Sequence, residues 1–576
     1  MYRQTGLIIL LAVGLFSCVE KGSKDALPPA DSDNGGLVLP NGFEALVVAD
    51  SSGRARHIAI HDKGDIYIKL RAPGHRGVVA LRDTTGDGRA DIIIQFGDFE
   101  DDGGYGTTAM RSYNGYIYYS TAGAVYRQQL NPGELVPTSE VEVVLTDDYT
   151  NAEHGYEHIA KSVTFDDQGK MYVPFGSPGD VCQNPKRTPG MPGQDPCPEL
   201  EMHGGIWQFD ADKINQVQTD GIRYATGIRS VVAMDWNPQT GELFAVQHGR
   251  DSLHRMWPGL YSRWQSALLP SEEFMVVSEG SNYGWPYCYY DQMIEKKVLN
   301  PEYGGDGEKV GRCPDYDNPL IGFPGHLAPN DLHFYRGDQF PDRYKNGAFI
   351  AFHGSTIRAP YPQAGYFVAF VPFEGGRPSG EWEVFANGFA GVDPIVSTSE
   401  AQYRPMGLAT GPDGSLYLTD SVQGKVWRIM YTGDRENFGN EDLARLAEEK
   451  QTASNIRTPD EVEDNLETEE VAGGEQVYRT YCAACHLRDG QGSPPRFPPL
   501  AESEWVTGDK ERLISVIING LEGPIVVGGE HYDFPMPAHN FLADEEVASV
   551  ATYIRQSFGN SAGEVTAEEV RSFRGK

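Results

Sequence analysis

Two stretches of the chain share one pattern: Asp167-Gln168-Gly169-Lys170-Met171-Tyr172 and Pro412-Asp413-Gly414-Ser415-Leu416-Tyr417. In each, a turn with Asp and Gly precedes a strand that carries apolar and aromatic residues, which is typical of a β-hairpin. The unit of strand, turn and second strand recurs at 57–70, 108–120, 162–175, 231–246, 332–352 and 406–418. Repetition at roughly the 40 to 50 residue period of a blade predicts an all-β, six-bladed β-propeller over residues 37–433. A pair of β-sandwiches is the alternative, but the similarity of the hairpins favours radial repetition.

A different motif follows the repeats, in the last hundred residues. Cys482-Ala483-Ala484-Cys485-His486 has the C-x-x-C-H spacing in which two thiols bond covalently to haem and the adjacent imidazole ligates iron. This segment resembles class I cytochrome c, which implies a small all-α domain over residues 471–576 that binds haem c. Cys482 and Cys485 are the predicted covalent attachment points, and His486 is the predicted iron ligand.

The second axial ligand of the iron is expected downstream of the attachment motif. Met536, in the sequence Phe534-Pro535-Met536-Pro537, is the only methionine after residue 471 and is the predicted ligand. His531 and His539 flank it, so ligation by two histidines is the alternative.

The first 36 residues predict export. Arg3 precedes an apolar run from Leu7 to Phe16, which has the length of a signal-peptide core. The run ends in Leu15-Phe16-Ser17-Cys18, which resembles the lipobox of bacterial lipoproteins, and a polar tether follows. Residues 1–36 are therefore interpreted as a lipoprotein signal peptide and flexible tether. Lipid on Cys18 would anchor the protein to a bacterial membrane, facing the periplasm or the cell surface, while an ordinary signal peptide with a chance cysteine is the alternative.

Four further cysteines remain after the lipid and haem positions are assigned: Cys182, Cys197, Cys288 and Cys313. An exported protein folds in an oxidising compartment, where an even number of cysteines favours disulfides. Nearest-neighbour pairing predicts Cys182–Cys197 and Cys288–Cys313. A four-cysteine metal site is the alternative, although the cysteines lack the paired C-x-x-C spacing of such sites.

Charge restricts the partners. The chain has 48 Lys and Arg residues against 82 Asp and Glu residues, a formal net charge of -34. A field of this sign repels nucleic acid, so no nucleic-acid partner is expected. Residues 434–470 are densely charged and are interpreted as an interdomain linker, in part helical.

The propeller region resembles the PQQ-dependent sugar dehydrogenases, in particular the soluble glucose dehydrogenase and L-sorbosone dehydrogenase branches. The resemblance rests on short motifs spread along the repeats: His158 with Ser162-Val163-Thr164-Phe165, Gly227-Ile228-Arg229-Ser230, Gln247-His248-Gly249-Arg250-Asp251, Asn282-Tyr283-Gly284-Trp285-Pro286, His326-Leu327-Ala328-Pro329, His353-Gly354-Ser355 and Tyr403-Arg404-Pro405. It implies a pocket at one end of the propeller that binds pyrroloquinoline quinone (PQQ) and calcium.

PQQ is a tricarboxylated quinone, so its pocket requires cations with forked donors. The resemblance assigns this role to Arg229, Arg358 and Arg404, with Ser230 where the glucose dehydrogenases have Asn. Calcium prefers oxygen ligands, and the backbone carbonyls of Gly249 and Arg250 match the family's calcium turn.

His158 is the predicted general base of sugar oxidation. It stands just before an inner strand of the propeller, and its distance from Lys170 along the chain matches the family's catalytic histidine. An imidazole with a pKa near 6.5 can accept a hydroxyl proton at neutral pH. His154 is its competitor, and a purely structural histidine that caps a strand is the other alternative.

Residues Asp83 to Asp91 form a further acidic loop, Asp83-Thr84-Thr85-Gly86-Asp87-Gly88-Arg89-Ala90-Asp91. It resembles the first half of a calcium-binding EF-hand loop, but Ile94 stands where that loop has its bidentate Glu. A hairpin turn with Asp side chains on backbone amides is the alternative.

Together these features predict an exported quinohaemoprotein. It would oxidise an aldose or sugar aldehyde at PQQ and calcium, pass electrons to its own haem c, and deliver them to a downstream periplasmic acceptor. The alternative is a cofactor-free propeller that binds a carbohydrate or protein ligand and is fused to an electron-transfer cytochrome.

Overall fold

The computed structural model describes residues 27–71, 77–97, 108–148, 157–461, 473–494, 497–521, 523–533, 536, 539 and 542–574. Cys18 and His154 lie outside the described residues. No helix within the described ranges is long and apolar enough to cross a membrane.

Six sheets form a β-propeller, as the repeats predicted. Strand β1 (Phe43–Ala49) joins the sixth blade. Blade 1 contains β2 (Ala55–Ile60), β3 (Ile66–Leu70), β4 (Val78–Arg82) and β5 (Ile92–Phe96), and blade 2 contains β6 (Met110–Tyr113), β7 (Tyr116–Ser120), β8 (Ala124–Gln129) and β9 (Glu142–Thr146), with β13 (Gln216–Val217) on its edge; blade 3 contains β10 (Thr164–Phe165), β11 (Lys170–Phe175), β12 (Gly205–Asp210) and β14 (Ile222–Thr226), with β18 (Ser281–Asn282) on its edge. Blade 4 contains β15 (Val231–Asn237), β16 (Glu242–Gln247), β17 (Glu272–Val277) and β21 (Ile321–Phe323), and a separate hairpin consists of β19 (Cys288–Asp291) and β20 (Lys296–Leu299); blade 5 contains β22 (Pro329–Phe334), β23 (Ala348–Phe352), β24 (Phe367–Val371) and β27 (Glu383–Ala386), with the hairpin β25 (Phe373–Glu374) and β26 (Arg377–Pro378), and blade 6 contains β28 (Pro405–Thr410), β29 (Leu416–Asp420) and β30 (Val426–Tyr431).

The ring is closed by the first strand of the chain. β1 pairs antiparallel with β30, from Phe43 opposite Tyr431 to Ala49 opposite Val426, so blade 6 contains both ends of the propeller sequence. Phe43 also packs edge-on against Phe340 and Phe385. This pairing ties the two ends of the domain together without a covalent bond.

The inner strands β2, β6, β10, β15, β22 and β28 surround the central channel; β2 contacts β6 and β28, and β22 contacts β15 and β28. Because every blade repeats the same meander, the inner strands run in one direction, and the residues just before them collect at one end of the channel. We call this end the top. Further down, Arg111 and His57 flank Asp331 at 2.7 and 3.3 Å and fill the channel with a buried ion pair.

Three helices belong to the propeller. α1 (Leu253–Met256) and α2 (Arg263–Leu268) lie between β16 and β17, and α3 (Asn440–Thr452) follows β30. α3 lies in the segment 434–470 that the sequence marks as a linker, but Leu446 and the following Ile456 are buried in a propeller core cluster. The first half of the segment is therefore part of the propeller, because two apolar side chains anchor an otherwise charged helix.

The C-terminal domain is mainly helical. It contains α4 (Gly474–Val477), a π-helical turn at Tyr478–Cys482, α5 (Ala483–His486), α6 (Glu504–Thr507), α7 (Lys510–Asn519), the hairpin β31 (Ile525–Val527) and β32 (Glu530–Tyr532), α8 (Asp544–Gln556) and α9 (Ala567–Arg574). α4 crosses α8 closely: a Cβ atom on Gly474 would lie 2.1 Å from the Ser549 carbonyl oxygen. The glycine therefore permits the contact between the first and the penultimate helices of this domain.

Candidate active site

His158 lies at the top of the propeller, six residues before β10. Its Nδ1–H donates to the Ser177 carbonyl oxygen at 2.7 Å and also lies 3.0 Å from the Ser177 hydroxyl. A carbonyl can only accept, so the proton is on Nδ1 and the Nε2 lone pair is left for another partner. Burial, and next the positive charge of Arg229, hold the pKa of His158 well below its ordinary value. The ring is therefore a neutral imidazole at pH 7, in the tautomer that a general base requires.

Arg229 lies beside His158, just before β15. Its Nε and Nη2 donate to Asp180 Oδ1 at 3.0 and 2.5 Å, and its Nη1 donates to the Gly249 carbonyl at 2.8 Å. The next residue, Ser230, is buried, and its carbonyl accepts the His248 N–H at 2.9 Å. The structure thus brings three predicted residues, His158, Arg229 and Gly249, into one neighbourhood.

A second group of cations surrounds Arg404, which precedes β28. Arg404 donates from Nε to the His353 carbonyl at 3.0 Å and from Nη2 to the Gly354 carbonyl at 2.5 Å. Arg56, within β2, is only 5% exposed. Burial, followed by the charges of Arg71 and Arg404, lowers the pKa of Arg56 well below its ordinary value. Three arginines therefore meet at the top of adjacent blades 1 and 6.

Sequence reasoning identified Arg404 but missed Arg56 and Arg71. The sequence did contain an indication of Arg56, because this residue lies at the top of the first inner strand and Arg404 lies just before the last inner strand. Closure of the ring makes these two blades neighbours. Pairing of the first and last blades is a property of closure, which the local repeat pattern does not contain.

The arginine cluster fits an anionic cofactor. Among the described residues no carboxylate pairs with Arg56, and its buried Nε has no hydrogen-bond partner. Burial beside like charges is unfavourable for Arg56, so a bound anion would relieve both the repulsion and the unsatisfied donor of this residue. The three carboxylates of PQQ supply charge and acceptors of this kind, and Arg56, Arg71 and Arg404 would hold them.

Arg358 occupies a different setting. It is 1% exposed, its Nε donates to the Ala267 carbonyl of α2 at 3.0 Å, and its Nη2 has no partner within the described part of the chain. Burial alone lowers the pKa of Arg358 to about 10. Arg358 is thus held by α2 through the Ala267 carbonyl.

Oxygen donors gather around the predicted calcium turn. The carboxyl of Glu272 accepts the Gly249 N–H at 3.0 Å and the Ala328 N–H at 3.3 Å. Burial raises the pKa of Glu272 to about 8, and the nearby charge of Asp251 acts in the same direction. The Gly249 carbonyl, Glu272 and Asp251 therefore form an oxygen-rich site whose chemistry suits a hard cation.

Glu272 was missed at the sequence level, although Ser271-Glu272-Glu273 places two acids at the start of a strand. Neighbouring strand residues face opposite sides, and both acids are buried. Glu273 has a cation, Lys297 at 2.7 Å, whereas Glu272 has none within 4.0 Å among the described residues. A buried acid without a cation, such as Glu272, is therefore the feature that indicates a binding site.

In the cytochrome domain, Cys482, Cys485 and His486 lie on consecutive helical turns, and neither cysteine forms a disulfide. His486 is buried, and its Nδ1–H donates to the Pro498 carbonyl at 2.9 Å. This bond leaves Nε2 for iron. The backbone of Met536, the predicted second ligand, pairs with Leu521 through two hydrogen bonds of 2.9 Å.

The haem-attachment turn faces the propeller. Arg488, two residues after His486, forms an ion pair with Glu400 at 2.6 Å, and Arg263 of α2 lies over the ring of Tyr481 at 5.5 Å. On the pocket side of α2, the Ser266 carbonyl accepts a hydrogen bond from His326 Nε2 at 2.9 Å. α2 therefore lies between the haem-attachment turn and the pocket.

The remaining predicted features have clear positions. Disulfides join Cys182 to Cys197 and Cys288 to Cys313, as the nearest-neighbour pairing predicted. In the acidic loop, Asp83 accepts the N–H groups of Gly86 and Gly88 at 2.7 Å, and Asp91 accepts that of Thr84 at 2.7 Å. These carboxylates bond backbone amides, which is the arrangement of the turn alternative.

The fold and the site define a class of protein: a propeller of the PQQ-dependent sugar dehydrogenase kind joined to a cytochrome c. Family models agree. A TrAA12-like model matches residues 37–432, and a cytochrome c model matches residues 471–558. The chain belongs to the TrAA12-like family and carries a cytochrome c domain after its propeller.

Solved structures share the propeller fold. The calcium structure of the Trichoderma reesei protein of Carbohydrate-Active Enzymes Family AA12 superposes with a TM-score of 0.55 at 18% identity, covering 69% of this chain and 97% of that one. The holo form of the pyranose dehydrogenase PQQ domain from Coprinopsis cinerea gives 0.53 at 18% identity, over 68% and 97%. At this identity the likeness establishes the fold alone.

Two relatives by sequence match a stretch of the length of the cytochrome domain. Cytochrome c-552 of Thermus thermophilus is 40% identical over 114 residues, 18% of this chain and 86% of that protein. The cytochrome c subunit of the quinone alcohol dehydrogenase of Gluconobacter oxydans is 36% identical over 105 residues, 18% of this chain and 22% of that subunit. The chain thus spans about a fifth of the latter protein.

Proposed function

We propose that this protein is an exported quinohaemoprotein that oxidises an aldose or sugar aldehyde in its propeller and passes the electrons to its own haem c. One observation carries the proposal: His158 presents a neutral Nε2 at the same end of the channel as Arg56, whose buried Nε has no hydrogen-bond partner among the described residues. A base next to an anion site is what cofactor-dependent oxidation of a hydroxyl group requires.

The pocket residues would divide the work of binding. Arg56, Arg71 and Arg404 hold the carboxylates of PQQ, while the Gly249 carbonyl and the carboxyl groups of Glu272 and Asp251 supply oxygen ligands for calcium. When bound there, PQQ would supply the hydride acceptor and calcium would supply Lewis-acid assistance.

His158 acts on the substrate itself. Oxidation of a pyranose at C1 to a lactone removes the C1–H bond as hydride and the hydroxyl hydrogen as a proton. Nε2 of His158 accepts that proton, and the Ser177 carbonyl stabilises the resulting imidazolium through Nδ1–H. Two electrons and two protons therefore leave the sugar, and His158 handles one of the protons.

The fused cytochrome is the proposed electron acceptor. Haem takes one electron at a time, so each oxidised sugar requires two transfers. The contacts of Arg263 with Tyr481 and of Arg488 with Glu400 hold the haem-attachment turn near the pocket, which supports transfer within one molecule. A tethered acceptor has a high effective concentration and needs no encounter step.

Export and membrane attachment are part of the proposal. The lipobox at Cys18 and the following tether support a lipid-anchored protein that hands its electrons to a periplasmic acceptor. Loss of membrane partitioning in a Cys18→Ala variant, after detergent-free fractionation, is the expected result, and unchanged partitioning would refute the anchor.

The experiment that tests the function is a spectrum of the haem-loaded protein after addition of PQQ, calcium and a panel of sugars. We expect the reduced haem spectrum only when all three are present, and no reduction with PQQ omitted or calcium chelated. An inert oxidised spectrum with every sugar, despite bound PQQ, would favour the cofactor-independent binding propeller instead.

A further inference from the structure

A cleft opens beside the pocket, between the disulfide-bonded loop 176–204 and helix α1. Asp180, Arg187, Arg250 and Arg255 are the charged residues that line it. Cations thus outnumber anions on its walls, in a chain whose net charge is -34. The general composition of the protein does not account for this local excess.

Arg255 is the cation without a counter-charge. Within the described residues it forms no ion pair and no hydrogen bond. Burial, and next the charge of Arg187, lower its pKa, and no carboxylate acts in the opposite direction. Partial burial of a charged guanidinium group is unfavourable because the group loses hydration, and an anionic ligand would offset this loss.

Arg250 adds donors that the protein does not use. It is 3% exposed, and its Nη1 donates to Glu302 at 2.5 Å. Its Nε and Nη2 are buried and have no hydrogen-bond partner in the described structure. Buried N–H groups are rarely left unsatisfied, so these two donors indicate a missing acceptor.

Asp180, the one acid on the cleft wall, is already engaged. Arg229 takes its Oδ1 at 2.5 Å, and Arg187 lies 3.2 Å from its Oδ2. Although burial opposes ionisation, Arg187 and Arg229 hold the pKa of Asp180 below its ordinary value. Asp180 is therefore shared among several guanidinium groups, and within the described residues it does not pair with Arg255.

The cleft lies close to the proposed base. The charges of Arg187 and Asp180 both act on His158, and Ser177, which orients the imidazole, is three residues before Asp180. The cleft and the proposed base therefore share the loop 176–204, which supplies both Asp180 and Ser177.

We propose that Arg250 and Arg255 bind an anionic group of the substrate, and that the substrate is a carboxylated sugar such as a hexuronate. The C6 carboxylate of the sugar would take the forked donors of the two guanidinium groups, while its C1 hydroxyl faces His158. This inference rests on the proposed function for its chemistry, and it adds the substrate class.

The test compares D-galacturonate with D-galactose, which differ only at C6. In the holoenzyme, kcat/KM for haem reduction should be at least about tenfold higher for the uronate, because a hydrogen bond to a charged group strengthens binding by about tenfold or more. Arg255→Gln should reduce the uronate-to-galactose ratio about tenfold. Arg223→Gln, which removes an exposed arginine on β14, should leave the ratio unchanged.

A binding measurement separates this inference from the proposed function. Calorimetric titration of the fully reduced holoenzyme, which cannot turn over, should give at least about tenfold tighter binding of galacturonate than of galactose, and Arg255→Gln should remove the difference. Equal binding of the two sugars would overturn the inference, whether or not either is oxidised. Selective uronate binding without haem reduction by any sugar would support the cleft and reject the dehydrogenase.

Discussion

The position of one proton governs the proposed chemistry at the residue scale. Ser177 accepts the Nδ1–H of His158, so the lone pair of the imidazole is on Nε2. The burial that keeps the ring neutral also raises the cost of a misplaced proton. His158 is therefore poised to accept a proton but does not carry a second one at rest.

Replacement of His158 tests this role. His158→Ala should leave PQQ binding and the haem spectrum intact but lower the rate of sugar-driven haem reduction by about 10² to 10⁴-fold, since a positioned base contributes that much. Stopped-flow absorbance of the haem measures the rate. His61→Ala, on the turn after β2, is the control. Near wild-type turnover in His158→Ala, with activity lost instead in His154→Ala, would assign the role to the competitor.

The pH profile provides a second test. Burial and Arg229 lower the pKa of His158 below 6.5, so the neutral form persists as the pH falls through that value. The haem reduction rate should therefore stay constant between pH 8 and pH 6 and fall only in more acidic solution. A base with an ordinary pKa of about 6.5 would lose about three quarters of the rate at pH 6. A decline of that size would contradict the lowered pKa.

At the scale of elements, the loop 176–204 carries residues that the inner strands alone could not position. Asp180 anchors Arg229, and Ser177 orients His158, while the disulfide between Cys182 and Cys197 closes the loop just beyond them. A long polar loop would otherwise sample many conformations, so the bond stabilises the site by restricting the chain.

Removal of that bond should weaken both stability and activity. The double variant Cys182→Ser, Cys197→Ser opens a loop of 15 residues, and loss of such a link costs about 3 kcal/mol. We expect a lower melting temperature for the propeller and slower sugar-driven haem reduction with an unchanged haem spectrum. Wild-type melting and turnover in the variant would show that the loop holds its shape without the disulfide.

Local sequence patterns predicted the structural elements that depend on residues close together in sequence. The six hairpins, the haem-attachment turn and the two disulfides each depend on residues near one another in sequence, and each is present in the structure. Arg56 and Glu272 were missed because their significance depends on neighbours from other blades. The packing of α3 on the propeller was also not predictable from local sequence, because it depends on the burial of Leu446 and Ile456 against residues of other blades.

At the scale of the whole molecule, the two domains meet through the haem-attachment turn. Helix α2 contacts Tyr481 on one side and the pocket residues His326 and Arg358 on the other. Helix α2 therefore separates the haem-attachment turn from the pocket residues, and in the proposed function electrons pass this helix on their way to the haem.

The interdomain ion pair should tune the electron-transfer rate. Arg488→Gln removes the contact with Glu400, and exposed pairs contribute about 0.2 to 1 kcal/mol, so haem reduction should slow by up to about fivefold at low salt. Arg479→Gln, which breaks an exposed pair within the cytochrome, is the matched control. Reduction of an artificial dye by the propeller should stay unchanged in both. Equal haem reduction rates in the two variants would show that the ion pair has no role in docking.

The central claim is that sugar oxidation in the propeller reduces the haem of the same molecule. The most direct measurement mixes the PQQ- and calcium-loaded protein with a saturating sugar and follows haem reduction at several protein concentrations. We predict full reduction with a first-order rate constant that does not change across a tenfold dilution. Absence of haem reduction with every sugar, or a rate constant that falls in proportion to protein concentration, would contradict the account.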